Sequence, residues 1–292
     1  MSELIQILLL GLALGGVFAL MASGLTLIFG VMHIVNLAHP ILIIAAAYIS
    51  YWAFTYFQID PLITLPFNMV IMFFVGMALY KAFLARDAEK PGYVTMTVLI
   101  TFAIALLLDG LLGYFFTNTQ RITSPPYSTD AIFLGPYFIP KGQFYAAVVS
   151  VGLISLVWAY LKFSRMGYAI RATTQNRAAA QLLGVNVSQV SLFTFGLGIA
   201  LAGAAGALMS FLFSFFPAKH WEWIAILMSL IVLGGMGSLL GAVVGAFLLA
   251  VASAFVSSFF GPTWSPITFY LALFLILLIR PSGLFGEPTE AL

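Results

Sequence analysis

The chain has 292 residues, of which 63% are hydrophobic and 7% are charged, and its formal net charge is +2. Soluble domains are about half apolar and about a quarter charged, so this composition excludes an ordinary soluble fold and indicates an integral membrane protein. The absence of cysteine excludes disulfides and thiolate metal sites, and the small net charge gives no reason to expect a nucleic-acid partner. Three histidines without an HExxH spacing likewise predict no metal and no other cofactor.

Long apolar runs predict an all-α integral membrane protein, a polytopic bundle of about eight transmembrane helices. A spanning helix needs about 20 mostly apolar residues, and runs such as FYLALFLILLI do not alternate as strands of a membrane barrel would. A Gly-rich stretch, Leu4 to Phe57, is expected to hold at least two spans. The further predicted spans are 62–80, 93–116, 144–161, 190–216, 223–245, 243–260 and 266–279.

Basic residues predict which loops face the cytoplasm. Lys81, Arg86 and Lys90 share one loop, and a second group lies at 162–177. The positive-inside rule assigns both segments to the cytoplasm and the long loop at 117–142 to the outside. No basic residue precedes Lys81, so the n-region of a cleavable signal peptide is missing, and we expect the first apolar segment to remain as a span with an external N-terminus.

The sequence GVMHIVNLAHP, residues 30–40, interrupts the first apolar stretch with polar residues and a proline. Pro40 pushes His39 away from helical geometry, so we expect one helix to stop near Ala38 and another to start with Pro40 in its first turn. Such a break needs a polar or water-filled surrounding, and a helix N-terminus beside His33, Asn36 and His39 suits a substrate carboxylate. The alternative is that His33 and His39 cap helix ends at the cytoplasmic interface.

A second glycine cluster lies near the end of the chain, in VLGGMGSLLGAVVGA, with Gly234, Gly235 and Gly237. Gly-interrupted segments in both halves of a transporter are typical of inverted repeats with broken helices. We therefore predict a gate or substrate path formed by His33, Asn36, His39 and Pro40 together with Gly234, Gly235 and Gly237. Close helix packing through small residues is the alternative for each glycine.

Three further polar residues, Asp109, His220 and Glu222, are candidates for roles at the membrane surface or within it. Asp109 is the one carboxylate well inside a predicted span, and it is either a proton relay or a residue near the outer interface. His220 and Glu222 lie between aromatic residues, a pattern that predicts external membrane anchors.

The segment at 163–196 is polar and basic, yet its spacing predicts a short cytoplasmic helix. Taken alone, it fits a solvated loop. However, RAAAQLLGV at 177–185 looks like the EAA-x-x-x-G loop of ATP-binding cassette (ABC) importer permeases. MGYAIRATTQNRAAAQLLGV at 166–185 resembles the permeases of the branched-chain amino acid (LivH-type) family. The segments SGLTLIFGVMHIVNLAH, VLGGMGSLLGAVVGA and LIRPSGLFG also resemble that family, in order and over nearly the whole chain.

This resemblance implies a membrane permease subunit of a bacterial inner-membrane importer that moves branched-chain or similar small amino acids inward by alternating access. It implies a single transmembrane permease domain over 1–292 with a cytoplasmic coupling segment at 164–190. The partners implied are cytoplasmic ABC ATPase subunits, a second permease subunit, a periplasmic substrate-binding protein and the lipid membrane. The residues assigned to ATPase coupling are Arg171, Gln175, Asn176, Arg177, Ala179, Ala180 and Gly184.

Two departures from the family pattern bear on these expectations. Ala178 replaces the acidic residue usual in the EAA loop, and Pro40 stands where the family has a glycine. The chain has no GxxxxGK[ST] phosphate loop, so ATP hydrolysis is expected on another subunit and this chain is not expected to be an enzyme. The alternative functions are a proton-coupled secondary transporter of small polar solutes, which would use Asp109, and a passive channel.

Overall fold

The computed structural model describes residues 2–85 and 92–286, so Arg86 and Lys90 of the basic loop lie outside the described residues. The two strands form a small antiparallel hairpin, β1 (Ala131–Leu134) and β2 (Tyr137–Pro140). The described helices are α1 (Ser2–Met32), α2 (His39–Phe57), α3 (Pro61–Leu79), α4 (Tyr93–Phe116), α5 (Lys141–Phe163), α6 (Arg165–Gln175), α7 (Arg177–Leu182), α8 (Val187–Leu212), α9 (His220–Gly234), α10 (Leu239–Phe260) and α11 (Ser265–Ile279). The predicted helical fold class is confirmed.

Eight of the described helices are long and apolar enough to cross a membrane, which confirms the predicted number. They are α1 to α5, α8, α10 and α11; α3 continues through a π-helical turn to Leu84, and α11 is extended by the turn that begins at Pro262. Helix α9 has 15 residues and is about 22 Å long, shorter than the hydrocarbon layer of about 30 Å.

Hydrogen bonds identify the segments that share one face of the bundle. The side chain of Gln6 near the start of α1 bonds both backbone groups of Phe138 in the hairpin, at 2.6 and 3.0 Å. The Tyr127 hydroxyl donates to Asp60, between α2 and α3, at 2.9 Å. Because the basic segment at 162–177 follows the opposite end of α5, the positive-inside rule makes the hairpin face external. The same rule assigns the N-terminal end of α1 to the external side, and this orientation stays a prediction.

The core of the bundle is built around α1 and α8, which pack closely through glycine. A Cβ on Gly24 of α1 would overlap the backbone of Gly198 in α8, and Gly76 of α3 lies against Ile199 of α8 in the same way. By contrast, most residues of α4, α5 and α11 are not buried, and these helices present apolar surfaces to their surroundings. Small residues let the inner helices approach closely, as in other membrane bundles.

The predicted span at 223–245 is wrong because the chain reverses direction within it. Helix α9 ends at Gly234, and α10 begins at Leu239. Gly235 and Gly237 have φ angles of 99° and 89°, a region that residues with a side chain avoid. The glycines thus form a tight turn between two antiparallel helices, where the hydrophobic pattern alone suggested a continuous helix.

Candidate functional site

The interruption after α1 contains residues 33–38, which have no helical structure. Helix α1 ends at Met32, earlier than the expected stop near Ala38, because His33 has a left-handed backbone with φ of 55°. Helix α2 begins at His39 and has Pro40 in its first turn, which confirms the expected start. The break is therefore a six-residue non-helical segment, and its start is set by His33 as well as by the proline.

The start of α2 lies well inside the membrane layer. His39 Nε2 is 3.2 Å from the carbonyl oxygen of Met21 in α1. Met21 precedes the end of α1 at Met32 by eleven residues, or about 16 Å along the helix axis. The chain therefore returns toward the membrane centre through residues 33–38 before α2 begins.

A single residue of α4 contacts two backbone groups of this segment. The Thr101 hydroxyl accepts a hydrogen bond from the Leu37 N–H at 3.2 Å. Its one proton is shared between the Val35 carbonyl at 3.1 Å and the Val98 carbonyl of its own helix at 3.2 Å. Thr101 is buried. An unpaired backbone group in an apolar surrounding is unfavourable by several kcal/mol, so this contact lets the non-helical segment exist at that depth.

The free N–H donors expected at the start of α2 are largely engaged. The Ala38 N–H donates to Asn36 Oδ1 at 3.1 Å, and the His39 N–H donates to the Asn36 carbonyl at 3.2 Å. Two side-chain nitrogens, Asn36 Nδ2 and His39 Nδ1, are buried without a hydrogen-bond partner among the described residues. His33 is exposed. The break therefore holds two buried side-chain nitrogens without a described partner, one on Asn36 and one on His39.

The glycine cluster of the second half lies at the cytoplasmic end of α9. The Phe285 N–H donates to the Gly234 carbonyl at 3.1 Å, and Gly235 lies against Gly286. A Cβ on Gly30, at the end of α1, would lie 3.1 Å from the Gly237 carbonyl oxygen. The two predicted gate segments thus approach each other at Gly30 and Gly237, and the glycines at 234–237 serve close backbone packing.

The coupling segment contains two helices where the sequence predicted one. The Ser164 hydroxyl caps α6 by accepting from the Gly167 N–H at 2.9 Å. Asn176 ends α6 with an extended backbone and caps α7, because its Oδ1 accepts from the Ala179 N–H at 2.9 Å. Asparagine favours caps over helix interiors, which explains the break in the predicted helical spacing.

The assigned coupling residues differ in what they present to the cytoplasm. Asn176, Ala179 and Gly184 are exposed, whereas Ala180 is buried. Leu182 and Leu183, at the end of α7, are 90% and 84% exposed. This pair of leucines is therefore the most exposed apolar feature of the segment.

Arg171 and Gln175 differ from the rest because they line a cavity of about 510 Å³ beside Gly237 and the end of α1. The Arg171 guanidinium donates to the Leu161 carbonyl of α5 at 2.7 Å. The cavity thus brings part of the coupling set next to the glycine turn.

The external side has polar contacts that locate Asp109 and His220. Asp109 Oδ1 is 3.8 Å from His220 Nδ1, which lies 2.9 Å from the Pro217 carbonyl oxygen. The Asp109 side chain is 25% exposed near the external end of α4, so the interfacial interpretation fits better than a buried relay. His220 is fully buried, and its interpretation as an exposed anchor is wrong. It packs against Trp221, and Asp109 of α4 lies beside it.

Two further polar residues that contact a neighbouring helix were not identified from the sequence. Arg121 lies over the rings of Trp52 and Tyr51, 5.0 and 5.3 Å from their centroids. Asn68 in α3 is fully buried and donates to Ser50 of α2 at 2.9 Å. For Asn68 the available signal was a polar residue within an apolar run, the signal that located Asn36, whereas Arg121 lies in the polar loop 117–142, where no such signal exists.

A hydrogen-bonded pair outside the spans also closes the external face. Asp60 Oδ1 accepts from the Leu62 N–H at 2.8 Å and from the Tyr127 hydroxyl. Burial and the hydrogen bond to Asp60 raise the pKa of the Tyr127 phenol above its ordinary value. The phenol therefore stays a donor and holds the external loop against the α2–α3 turn.

The fold is that of a multi-pass helical membrane protein whose first apolar stretch is interrupted between α1 and α2. The family model for the permease component of branched-chain amino acid transport systems matches residues 7–280, and the chain belongs to this family. It is a permease subunit of an ABC importer in the cell membrane, and in such systems the ATPase is a separate subunit.

Individual relatives are similar over almost their whole length. The high-affinity branched-chain amino acid transport system permease protein LivH of Salmonella typhimurium is 25% identical, over 95% of this chain and 94% of that protein. The corresponding permease protein BraD of Pseudomonas aeruginosa is 27% identical, over 97% and 96%. A solved structure, PsaBC from Streptococcus pneumoniae in complex with Fab, has a TM-score of 0.53 at 12% identity and covers 96% of both chains. That last likeness shows the fold alone.

Proposed function

We propose that this chain forms half of the translocation path of an importer for branched-chain or similarly small amino acids. The observation that carries the proposal is the family match over residues 7–280, with relatives named for branched-chain amino acid transport. A second permease subunit supplies the other half, and a substrate-binding protein delivers the amino acid from outside. ATP binding on cytoplasmic ATPase subunits drives the alternation between outward and inward states.

The path runs past the break between α1 and α2. Asn36 Nδ2 and His39 Nδ1 support this assignment, because both are buried at mid-membrane depth and have no partner among the described residues. Buried polar groups are usually hydrogen-bonded, so unpartnered ones point to a transient partner such as water or a passing solute. Pro40 fixes the first turn of α2 behind them.

The ATPase subunit docks on the coupling segment 164–190. The exposed Leu182 and Leu183 and the left-handed turn at Gly184, with φ of 84°, support this assignment. An exposed leucine pair beside polar residues is a suitable centre for a small interface with a polar rim. Asn176, Arg177 and Ala179 form that rim, while the buried Ala180 holds α7 against the permease body.

The test is purification of the tagged chain in mild detergent from its host, followed by mass spectrometry and uptake measurements in proteoliposomes. We expect stoichiometric ATPase subunits and a second permease, and leucine uptake that requires both ATP and the binding protein. Recovery of the chain alone, with uptake driven by a pH gradient, would contradict this proposal and support a proton-coupled transporter.

A further inference from the structure

An apolar groove runs between α5 and α10 on the outer surface of the bundle. Its volume is about 300 Å³, and its walls include Val151 and Ile154 of α5 and Val243 and Phe247 of α10. Helix α1 packs behind both walls, since Gly16 lies against Val151 and a Cβ on Gly15 would touch Phe247, while the lining of the groove comes from α5 and α10. The groove is therefore an apolar cleft between α5 and α10 in which a thin apolar chain can lie.

The groove continues into the cytoplasmic cavity already described. Trp158, Leu239 and Leu240 line both spaces, so the two form one continuous cleft. From Val151 to Trp158 the α5 wall is about 10 Å long, within one leaflet of a hydrocarbon layer about 30 Å thick. The apolar part of the cleft therefore lies in the cytoplasmic leaflet.

The cytoplasmic end of the cleft is basic. Lys162 and Arg171 both line it. Lys162 Nζ lies 4.7 Å from the centre of the Trp158 ring, a pair typical of the membrane–water interface. Within residues 2–85 and 92–286, neither Lys162 nor Arg171 has a carboxylate within ion-pair distance. Two uncompensated cations thus lie at the level where lipid phosphates lie.

We propose that this cleft binds an anionic phospholipid of the cytoplasmic leaflet. One acyl chain lies in the groove between α5 and α10, and the phosphate accepts hydrogen bonds from Lys162 and Arg171. Arg171 belongs to α6, so the bound headgroup bridges the end of α5 and the first coupling helix. Basic pockets between membrane helices on the cytoplasmic side are suited to such headgroups.

The test is native mass spectrometry of the complete complex in micelles that contain equal amounts of phosphatidylglycerol and phosphatidylcholine with the same acyl chains. We expect the complex to retain phosphatidylglycerol preferentially. The double variant Lys162→Gln/Arg171→Gln should retain about tenfold less, because each cation near a phosphate contributes to binding. The control Lys81→Gln/Arg165→Gln removes the same charge from exposed cytoplasmic positions that do not line the cleft, and retention should be unchanged.

A second pair of variants tests the acyl chain. Val243→Trp fills the groove and should displace the lipid, whereas Val244→Trp, at an exposed neighbour that does not line the groove, should not. Equal retention of the two lipids, or equal losses in the charge variants and their control, would overturn the proposal. So would efficient cross-linking of Leu240→Cys, in the cleft wall, to the second permease subunit, since a protein would then cover the cleft.

Discussion

Single polar side chains determine how the break between α1 and α2 is held in apolar surroundings. His33, Asn36 and Pro40 could be located from the sequence, because polar residues and proline are rare in an apolar run. Thr101 could not, because a threonine in a membrane helix usually bonds its own helix, and only the fold brings it to Leu37. The sequence thus located the break but not its support.

Thr101→Val is expected to loosen the break. The variant leaves the Leu37 N–H and the Val35 carbonyl without their partner, at about 1–3 kcal/mol for a buried group. We expect amide exchange at 35–38 to accelerate about tenfold and uptake to fall. Thr97→Val is the matched control, because buried Thr97 bonds Val94 in its own helix. Equal exchange rates in the two variants would contradict this role.

The variant Asp109→Asn distinguishes the importer hypothesis from that of a proton-coupled transporter. The carboxylate is partly exposed beside His220, so its neutral isostere should preserve the packing. ATP-driven uptake by the assembled complex is expected to stay within about twofold of the wild type, as for most surface positions. Loss of uptake in a normally assembled complex would favour a proton relay through Asp109.

At the scale of elements, helix ends were predicted well where polar loops mark them and poorly where the chain turns through glycine or asparagine. The span at 93–116 coincides with α4. The turn at Gly235 and the cap at Asn176 both fall within helical patterns, so periodicity overrode the local signal. Contacts made after folding, such as those of Gly235 with Gly286, stabilise the turn and are absent from the sequence pattern.

Gly184→Arg is expected to abolish transport and substrate-stimulated ATP hydrolysis while the chain still inserts into the membrane. Gly184 has a left-handed backbone and open space around it, so an arginine adds strain and bulk at the docking surface. Gly184→Asn is the control, because asparagine tolerates this backbone region and should retain most coupling. Retained ATPase stimulation in the arginine variant would show that α7 is not part of the interface with the ATPase subunit.

Gly241→Ala is expected to destabilise the α9–α10 hairpin. A Cβ at this position would overlap the Gly234 carbonyl oxygen, and such overpacking usually destabilises by about 1–3 kcal/mol. Gly110→Ala in α4 faces open space and should be neutral or stabilising by up to about 1 kcal/mol. Thermal unfolding in detergent measures both, and equal midpoints would show that the hairpin adapts.

At the scale of the whole molecule, composition and hydropathy were sufficient for the class of fold, whereas the membrane orientation stays a prediction from the positive-inside rule. The inverted repeat stays a prediction. The two interruptions differ, because the segment 33–38 re-enters the membrane while the glycine turn at 235–238 connects antiparallel helices. The depth of each interruption in the membrane depends on contacts between helices that are distant in the sequence. The hydrophobic pattern of neither segment contains that information.

The orientation can be measured directly because the chain has no cysteine. Single variants Ser2→Cys and Ser124→Cys are expected to react with an impermeant maleimide added outside the cell. Ser188→Cys, at the start of α8, should react only after the membrane is opened; all three serines are exposed. Labelling of Ser188→Cys from outside the intact cell would show that the topology is the reverse of the one assigned.

The support of the break by Thr101 also has a consequence for biogenesis. Thr101 is made 64 residues after Leu37, a delay of roughly 3–13 s at ordinary rates of synthesis. During that time the backbone at 35–37 has no partner from α4, and hydrocarbon is an unfavourable place for it. We therefore expect α2 to reach its final depth only after α4 has entered the membrane.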